Sequence, residues 1–592
     1  MGTGAPQLEN VPPDETCEED SIKQTISGQW QTDSPGANTT LYYSQFLKMH
    51  DEPAAMSPDD IYPGTEVMED GSDTHVIHNQ NNLAGVVLVP QPSANADDPL
   101  NWSPLWKYTV VALQMAFLLT SVISALSVSP LAPVFQAQFN KDADAVALLT
   151  SVLVIVTGYT NLVLVPIAEV YGRRFVLIAS SLTCVGGSLW QGAATSYGSF
   201  MGARVLIAVG MSVGESLMPM VISDVFFLHE RGRLMGVYFF ALFNSMCLGP
   251  LIAGTCDAHF GTWRTFYWIL AALSGASTVA TVLFHPETKY ARQPLSEVAS
   301  GTTASFQGSE APSPNEKTSA TAIEQQEAVA VAVDQHLGRG RPSRSQFRLW
   351  QPRDTSLSVA GTVSLHVVTP FRVLLFPIVL FGAWMFAAAA SGVLALNYSQ
   401  SMALTVAPYN FSNMQVGLSN LALVCGGSLG VLTAGPLSDW VAMALTRRNH
   451  GVREPEMRLL SMIPFVALSA VALVVVADGL DRHWPWEAVI IVGFGGTGLM
   501  TVSLSTISIT YAVDCYKPVA GQIMVIATVV KNTFGFGMGY YIVDWIIEDG
   551  YTPLFMCELG LIVGPAVLGL VFFYFFGKRL RKLSRHSKVH TY

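Results

Sequence analysis

A glutamate, an arginine, a lysine and an asparagine sit inside stretches of this 592-residue chain that are otherwise apolar. Glu215 lies near the middle of the run 199–227 and Arg204 near one end of it; Lys531 and Asn532 lie near the centre of the run 520–545. Charge at that depth in an apolar segment is expensive and needs a partner or a task. A buried carboxyl can exchange protons near neutral pH. A buried lysine can counter that carboxylate, bind an anionic group of a substrate, or change protonation itself. Counted from the ends of their runs, Lys531 and Glu215 reach similar depth. Glu215 and Lys531 are therefore candidates for moving protons.

A second pattern occurs twice. Val165-Pro-Ile-Ala-Glu-Val-Tyr-Gly-Arg-Arg174 closes the second apolar run, and Gly435-Pro-Leu-Ser-Asp-Trp440, followed by Arg447 and Arg448, closes the eighth. Glu169, Arg173 and Arg174 can make charge-assisted contacts to neighbouring span ends that break when the ends move. Asp224, with Glu230 and Arg231 after it, closes the fourth run; Asp514 closes the tenth in the same way. Together with Asp439 and Arg448, these residues read as two gate networks. A device repeated six spans apart points to two homologous halves of a secondary transporter.

The elements that must position these groups are membrane spans. Half the residues are hydrophobic and only 13% are charged, far from a soluble average. Windows of about 20 apolar residues occur at 106–130, 145–167, 175–195, 199–227, 233–255, 265–285, 370–396, 414–436, 457–478, 488–512, 520–545 and 553–577. Lys and Arg gather on alternate loops (Arg173/Arg174, Arg231/Arg233, Lys289/Arg292, Arg339 to Arg353, Arg447 to Arg458, Lys517), joined by Lys578 to Lys582. By the positive-inside rule both termini are expected in the cytoplasm. Residues 1–105 hold 17 acidic residues against 2 basic ones, so the net charge of −11 belongs to the tail and the remainder is about +4. No hydrophobic run begins near Met1, so the first span is expected to act as the insertion signal.

The division follows. Residues 1–104 are expected to be an acidic disordered tail, 105–290 a six-helix bundle, 291–366 a disordered cytoplasmic linker, 367–577 a second six-helix bundle and 578–592 a basic tail. The fold class is an all-α membrane protein with twelve transmembrane helices in two pseudo-symmetric bundles. Seven cysteines show no metal-ligand spacing and read as small buried hydrophobes.

Several segments in order carry a family resemblance: Asp98 to Trp102, the arginine loop after span two, Arg204 to Pro219, Gly249-Pro-Leu-Ile-Ala-Gly254, Pro286 to Thr288, Pro408 to Ser412 and Arg453 to Glu456. Over about residues 95–578 the chain resembles the major facilitator superfamily of fungi. Within it the chain looks like the twelve-span drug:proton antiporter branch, particularly the histidinol- and polyamine-transporter-like group. The resemblance implies alternating access, a monomer in a lipid bilayer, and a small-molecule substrate with protons as partners. It implies no cofactor, no metal and no nucleic acid. It links Arg204 with proton transfer, and Gly236, Gly249, Pro250 and Gly254 with the antiporter motif of span five. Ser245 and Ala253 stand where that motif usually has glycine, and Val165 and Glu169 where the loop motif usually has Gly and Asp.

In that fold spans one, four, seven and ten line the path. Their polar or aromatic candidates are Gln114, Glu215, Trp384, Asn397, Tyr398 and Thr501, with Asn532 beside Lys531. Such a lining suits a partly apolar organic solute. Glu215 reads as the one clear intramembrane carboxylate away from span ends. Sequons at Asn397 and Asn410 fall on the outer side and are candidate glycan acceptors. The functional expectation is a proton-coupled exporter of a drug, toxin or secondary metabolite at a fungal plasma membrane. A proton-driven importer of a cationic metabolite such as a polyamine is the alternative, and a transporter-like nutrient receptor is the alternative of another class. Enzyme readings fail on context. Gly210 to Gly214 mimics a hydrolase nucleophile elbow and Gly493 to Gly498 a dinucleotide fingerprint, yet both lie within membrane helices with no preceding strand. No phosphate-binding loop with its lysine is present, so ATP does not drive this chain directly.

Overall fold

The computed structural model describes residues 66–67, 92–93, 95, 97–290, 338–349, 359–449, 452–516 and 519–584. The acidic tail to residue 91 apart from 66–67, most of the linker, and the last eight residues lie outside the described residues. A two-residue strand β1 (Glu66–Val67) pairs antiparallel with β2 (Val452–Arg453); everything else of consequence is helical.

The first half contains α1 (Pro104–Val122), the short α2 (Ala132–Phe139), α3 (Ala143–Tyr171), α4 (Arg173–Ala193), α5 (Tyr197–Val225), α6 (Leu228–Phe260) and α7 (Arg264–Phe284). After the linker, α8 (Val359–Leu374) leads into α9 (Pro377–Leu404), α10 (Asn413–Arg448), α11 (Ile463–Asp481), α12 (Gly495–Cys515), α13 (Ala520–Asp549) and α14 (Tyr551–Ser584). Local sequence explains many of the ends. Pro104 and Pro377 open α1 and α9 at the position where a missing N–H does no harm. Ser412 and Gln415 form a reciprocal capping box at the start of α10. Gly172 separates α3 from α4 with φ +103°, a left-handed region where a side chain would strain the backbone. A side chain there would also press into the Glu287 carboxylate.

Among the described residues, eleven helices are long and apolar enough to cross a membrane. The twelfth long helix, α13, is 30 residues, but Lys531, Asn532 and four glycines lower its apolar character. It packs between α3 and α9, so its polar groups meet protein rather than lipid.

The first expected span, 106–130, is not one continuous helix. It stops at Val122, and a short 3-10 turn at Ser129–Leu131 precedes α2. The carbonyls freed by this break are taken up by Arg204: Nη1 donates to Ser124 O at 2.6 Å and Nη2 to Ala125 O at 3.1 Å. The tenth span likewise begins with a π-helical stretch, Ala488–Phe494, before α12.

The two halves meet along α3–α13 and α6–α10. At the second seam the backbones approach closely through small residues, as interhelical contacts in membranes do. A Cβ on Gly254 of α6 would lie 2.7 Å from Asn413 O, and one on Gly417 of α10 would lie 2.9 Å from Pro250 O.

Both ends of the chain's described part are more ordered than their composition suggests. Residues 92–103 and 338–349, expected within a disordered tail and linker, pack together. Gly340 N–H donates to Asn101 O at 3.0 Å, and Ser103 N–H donates to Gly340 O at 2.9 Å. Gln346 Nε2 donates to Asp97 O at 2.7 Å, and Glu287 N–H donates to Gln346 O at 2.8 Å. Trp102 and Asn101 are buried as a result. These backbone pairings use main-chain groups, which composition does not reveal. The expected basic tail from 578 is also in part helix: α14 runs to Ser584, and Arg581 is buried.

The α6–α10 seam generates a test. Gly417→Val should force these backbones apart and destabilise the protein by about 1–3 kcal/mol, read as a lower thermal midpoint in detergent. Gly236→Val, whose Cβ would find only Val431 Cγ1 at 3.9 Å, should leave the midpoint nearly unchanged.

Candidate functional site

Glu215 of α5 and Lys531 of α13 come from different halves and meet. Lys531 Nζ donates to Glu215 Oε1 at 2.8 Å, and Asn532 Nδ2 donates to Glu215 Oε2 at 3.1 Å. Both charged side chains are nearly buried, at 8% and 6% exposure. Lys531 Nζ also lies 5.4 Å from the centre of the Phe386 ring, a favourable cation–π distance. Tyr238 Oη donates to the Glu215 backbone carbonyl at 2.7 Å, and Ser216 Oγ donates to Asn161 Oδ1 at 2.6 Å. These contacts hold α5 in register with α6 and α3, so the carboxylate is aimed at α13.

The pair forms part of the wall of a cavity between the halves. Val122, Ala125 and Leu126 come from the broken first span, Leu153, Val154 and Thr157 from α3, and Met211 from α5. Met246 of α6 and Ala390 and Leu394 of α9 complete the lining with Glu215, Lys531 and Asn532. The cavity volume is about 30 Å³, room for a water or two and no organic solute.

On the face where the basic loops lie, two triads occupy matching places. In the first half Arg173 pairs with Glu169 at 2.9 Å and with Asp224 at 3.3 Å. In the second half Arg458 pairs with Asp439 at 2.9 Å and with Asp514 at 3.4 Å. Each joins the end of the second span in its half, the start of the third and the end of the fourth. The second triad corrects the expectation for Arg448, which is exposed at the end of α10 and in no ion pair among the described residues. Arg458 takes that part, since the loop is longer and the arginine follows it. Each of these four ion pairs joins elements of one bundle.

Arg174 faces away from its neighbour. Its Nε donates to His285 O at 2.8 Å, Nη2 to Val282 O at 2.6 Å and Nη1 to Phe347 O at 2.8 Å. It thereby ties α4, the end of α7 and the packed linker segment together. Glu287 accepts from the N–H groups of Arg173 and Arg174 at 2.9 and 3.1 Å, a carboxylate at a helix N-terminus. Arg231 donates to the carbonyls of Phe226 and Ser223 at 3.0 and 2.6 Å. Glu230 is partly buried and in no ion pair among the described residues.

Several cavity expectations are overturned by packing. Gln114 turns to His285 at 3.1 Å. Trp384 Nε1 donates to Leu561 O at 3.3 Å, and its ring meets Phe534 edge-on. Thr501 Oγ1 approaches Ala389 O and Thr497 O at 3.0 and 2.8 Å. Tyr398 Oη meets Ser151 Oγ at 2.9 Å between α9 and α3. These groups are used up in joining helices, leaving Glu215, Lys531 and Asn532 as the expected residues that line the cavity. Asn397 is buried, and Ser129 Oγ donates to its carbonyl at 2.6 Å, so it cannot accept a glycan in this conformation. Asn410 is exposed. Arg204 meets no carboxylate among the described residues, being bonded to carbonyls around the break in the first span. Gly249, Pro250 and Gly254 do lie at close approaches, Gly249 against Ile123 and the other two against α10. Gly236 stands in nearly open space.

Two buried acids escaped the sequence reading. Glu456 accepts from Arg581 at 2.8 and 2.7 Å, a bidentate pair that anchors the end of α14. Glu558 corrects the reading of Glu215 as the one intramembrane carboxylate: it is fully buried in α14. It lies five residues into the 553–577 window, a depth that reads as an interface, but α9 and α11 cover it.

The buried pair generates a double-mutant test. Lys531→Met alone leaves Glu215 facing an apolar wall and should destabilise by about 3–5 kcal/mol. Combining it with Glu215→Gln should recover most of that loss, read by thermal unfolding of all four proteins. Arg458→Ala should lower the midpoint more than Arg448→Ala, whose effect should stay within about 0.5 kcal/mol.

Residues 113–540 match the Major Facilitator Superfamily. Protein HOL1 of Saccharomyces cerevisiae is 26% identical over 539 residues, covering 84% of this chain and 90% of its own. The MFS transporter cpaT of Aspergillus oryzae is 24% identical over 506 residues, covering 83% and 90%. The probable efflux pump mfs2 of Aspergillus flavus is 25% identical over 394 residues, covering 65% and 82%. Among solved structures, the proton:xylose symporter XylE superposes with TM-score 0.52 at 13% identity, over 81% of this chain and all of its own; that likeness speaks to the fold. With a match over most of its length, twelve long helices in two halves and fungal relatives along nearly the whole chain, the protein belongs to the Major Facilitator Superfamily and is a multi-pass membrane transporter of fungal type.

Proposed function

We propose that the protein is a proton-coupled exporter of small, partly apolar organic compounds, working by alternating access at a fungal plasma membrane with both termini cytoplasmic. The observation that carries this reading is the Glu215–Lys531 pair, which joins the two halves at the cavity wall. Opening the cavity draws α5 from α13, and two separated charges in a low-dielectric interior are costly. A proton on Glu215 removes one of those charges, so proton arrival and separation of the halves become linked. Lys531 keeps the pair closed when the proton is absent.

The lining supports the substrate class. Nine of its thirteen residues are apolar, and its two charges cancel, which suits a solute of mixed polarity without net charge. The name of the Aspergillus flavus relative and the close approaches of α6 at Gly249, Pro250 and Gly254 favour the outward direction. The acid and lysine at one wall also favour a second reading. An organic cation could replace Lys531 at Glu215, and the protein would then import a cationic metabolite such as a polyamine with protons.

Solute flux in inside-out plasma-membrane vesicles separates these. With acid inside, a panel of amphipathic toxins should accumulate, and Glu215→Gln should abolish gradient-driven accumulation while leaving solute binding. Full active transport by that variant would remove the proton role from Glu215. If only a polyamine moves, and only with the proton flow, the importer reading replaces export.

A further inference from the structure

The transport scheme above uses one buried carboxyl, but the second half contains another. Glu558 is 0% exposed in α14. Among the described residues its carboxyl meets one polar side chain, Ser391 of α9, Oγ to Oε2 at 2.9 Å, and Oε1 has no hydrogen-bond partner. An ionised carboxylate has about four acceptor sites and is not left with a single neutral contact in a dry interior at small expense.

The hydroxyl itself decides the protonation state. Ser391 Oγ lies 2.7 Å from Ala388 O and 2.9 Å from Glu558 Oε2. A serine carries one proton to donate. The shorter contact is the back-bond that a helical serine commonly makes to its preceding turn. With the serine proton on Ala388 O, the second contact is a hydrogen bond only if the glutamic acid donates. We infer that Glu558 is a second proton-binding site, loaded with a proton in this conformation and donating from Oε2 to Ser391 Oγ.

No cation stands ready to replace that proton. Helix α9 contains no Asp, Glu, Lys, Arg or His. On α11 the charged groups are Asp478 and Asp481 at its end, and Asp481 accepts from the N–H groups of Tyr551 and Thr552 at the start of α14. On α13, Lys531 is bonded to Glu215, and Asp544, Glu548 and Asp549 are acidic. In the turn at Pro455–Met462, Glu456 holds Arg581, and Arg458 is paired with Asp439 and Asp514. Cys557 is the neighbour on its own helix.

The location gives the site a mechanical connection. Ala390, next to Ser391, and Leu394, one turn on, line the cavity. Trp384, about two turns before Ser391, donates to Leu561 O of α14. The face of α9 that holds α14 thus adjoins the face that borders the cavity. Loss of the Glu558 proton would turn Ser391 from its own helix toward a charge and shift α9 where it borders the cavity. This deepens the proton-coupled reading by adding a site in the second half, yet its protonation stands or falls independently of Glu215.

Infrared spectroscopy of the full-length protein in lipid nanodiscs tests it without knowledge of the substrate. At neutral pH the wild type should show the carbonyl stretch of a protonated carboxyl, shifting in D₂O. The band should be lost in Glu558→Gln, retained in Glu215→Gln, and moved in frequency in Ser391→Ala, which keeps the acid and removes its partner. An unchanged band in Glu558→Gln overturns the inference, as does loss of an ionised-carboxylate band in its place. If Glu558→Gln does not fold, Ser391→Ala decides: an unmoved spectrum rejects the site. Full active transport by Glu215→Gln with the Glu558 band intact would reject the role given to Glu215 while leaving this site standing.

Discussion

Two opposite charges that are almost wholly buried organise the centre of this protein. At 2.8 Å Glu215 and Lys531 satisfy one another, and neither can be left behind when the halves separate without a large desolvation penalty. Everything around them serves to keep that contact specific. Tyr238 and Asn161 fix α5, Asn532 takes the second carboxylate oxygen, and the Phe386 ring covers the ammonium. A wholly apolar seam would pack as tightly but would offer no group whose charge a proton can cancel. The pair makes the closed state conditional.

The outer networks do a different job. Glu169–Arg173–Asp224 and Asp439–Arg458–Asp514 have the same design, and each of these ion pairs joins elements of one bundle. They brace the bundle ends, while the halves meet at the α3–α13 and α6–α10 seams. Arg204 does comparable work at the interrupted first span, where carbonyls rather than carboxylates receive it. A guanidinium with five donors in a fixed fork suits a place where a helix has come apart.

The sequence displayed the architecture well because apolar length and the placement of Lys and Arg are properties of composition. The depth argument also brought Glu215 beside Lys531, since two helices crossing the same slab place residues of equal depth at equal height. It failed where a side chain's direction mattered. Gln114, Trp384, Tyr398 and Thr501 lie on spans that line the path, yet packing turns them to helix neighbours. A period of 3.6 residues tells which positions share a face, not which neighbour that face meets. Arg448 and Arg458 differ by ten positions within one basic loop, and only the folded loop selects between them. Main-chain pairings such as Gly340 with Asn101 carry no side-chain signature at all.

That pairing changes the length of the tether between the halves. Counted from Tyr290 to α8, the connection looks like a long slack linker. Residues 340–347, however, are fastened to the first half through Asn101, Asp97, Glu287 and Arg174. Between the fastened segment and α8 the chain has residues 348–358, with a contour of at most roughly 40 Å at full stretch. The connection between the halves is therefore counted from the fastened segment and not from Tyr290: a change in the number of residues between 291 and 337 leaves that count unaltered, and a deletion after 349 shortens it.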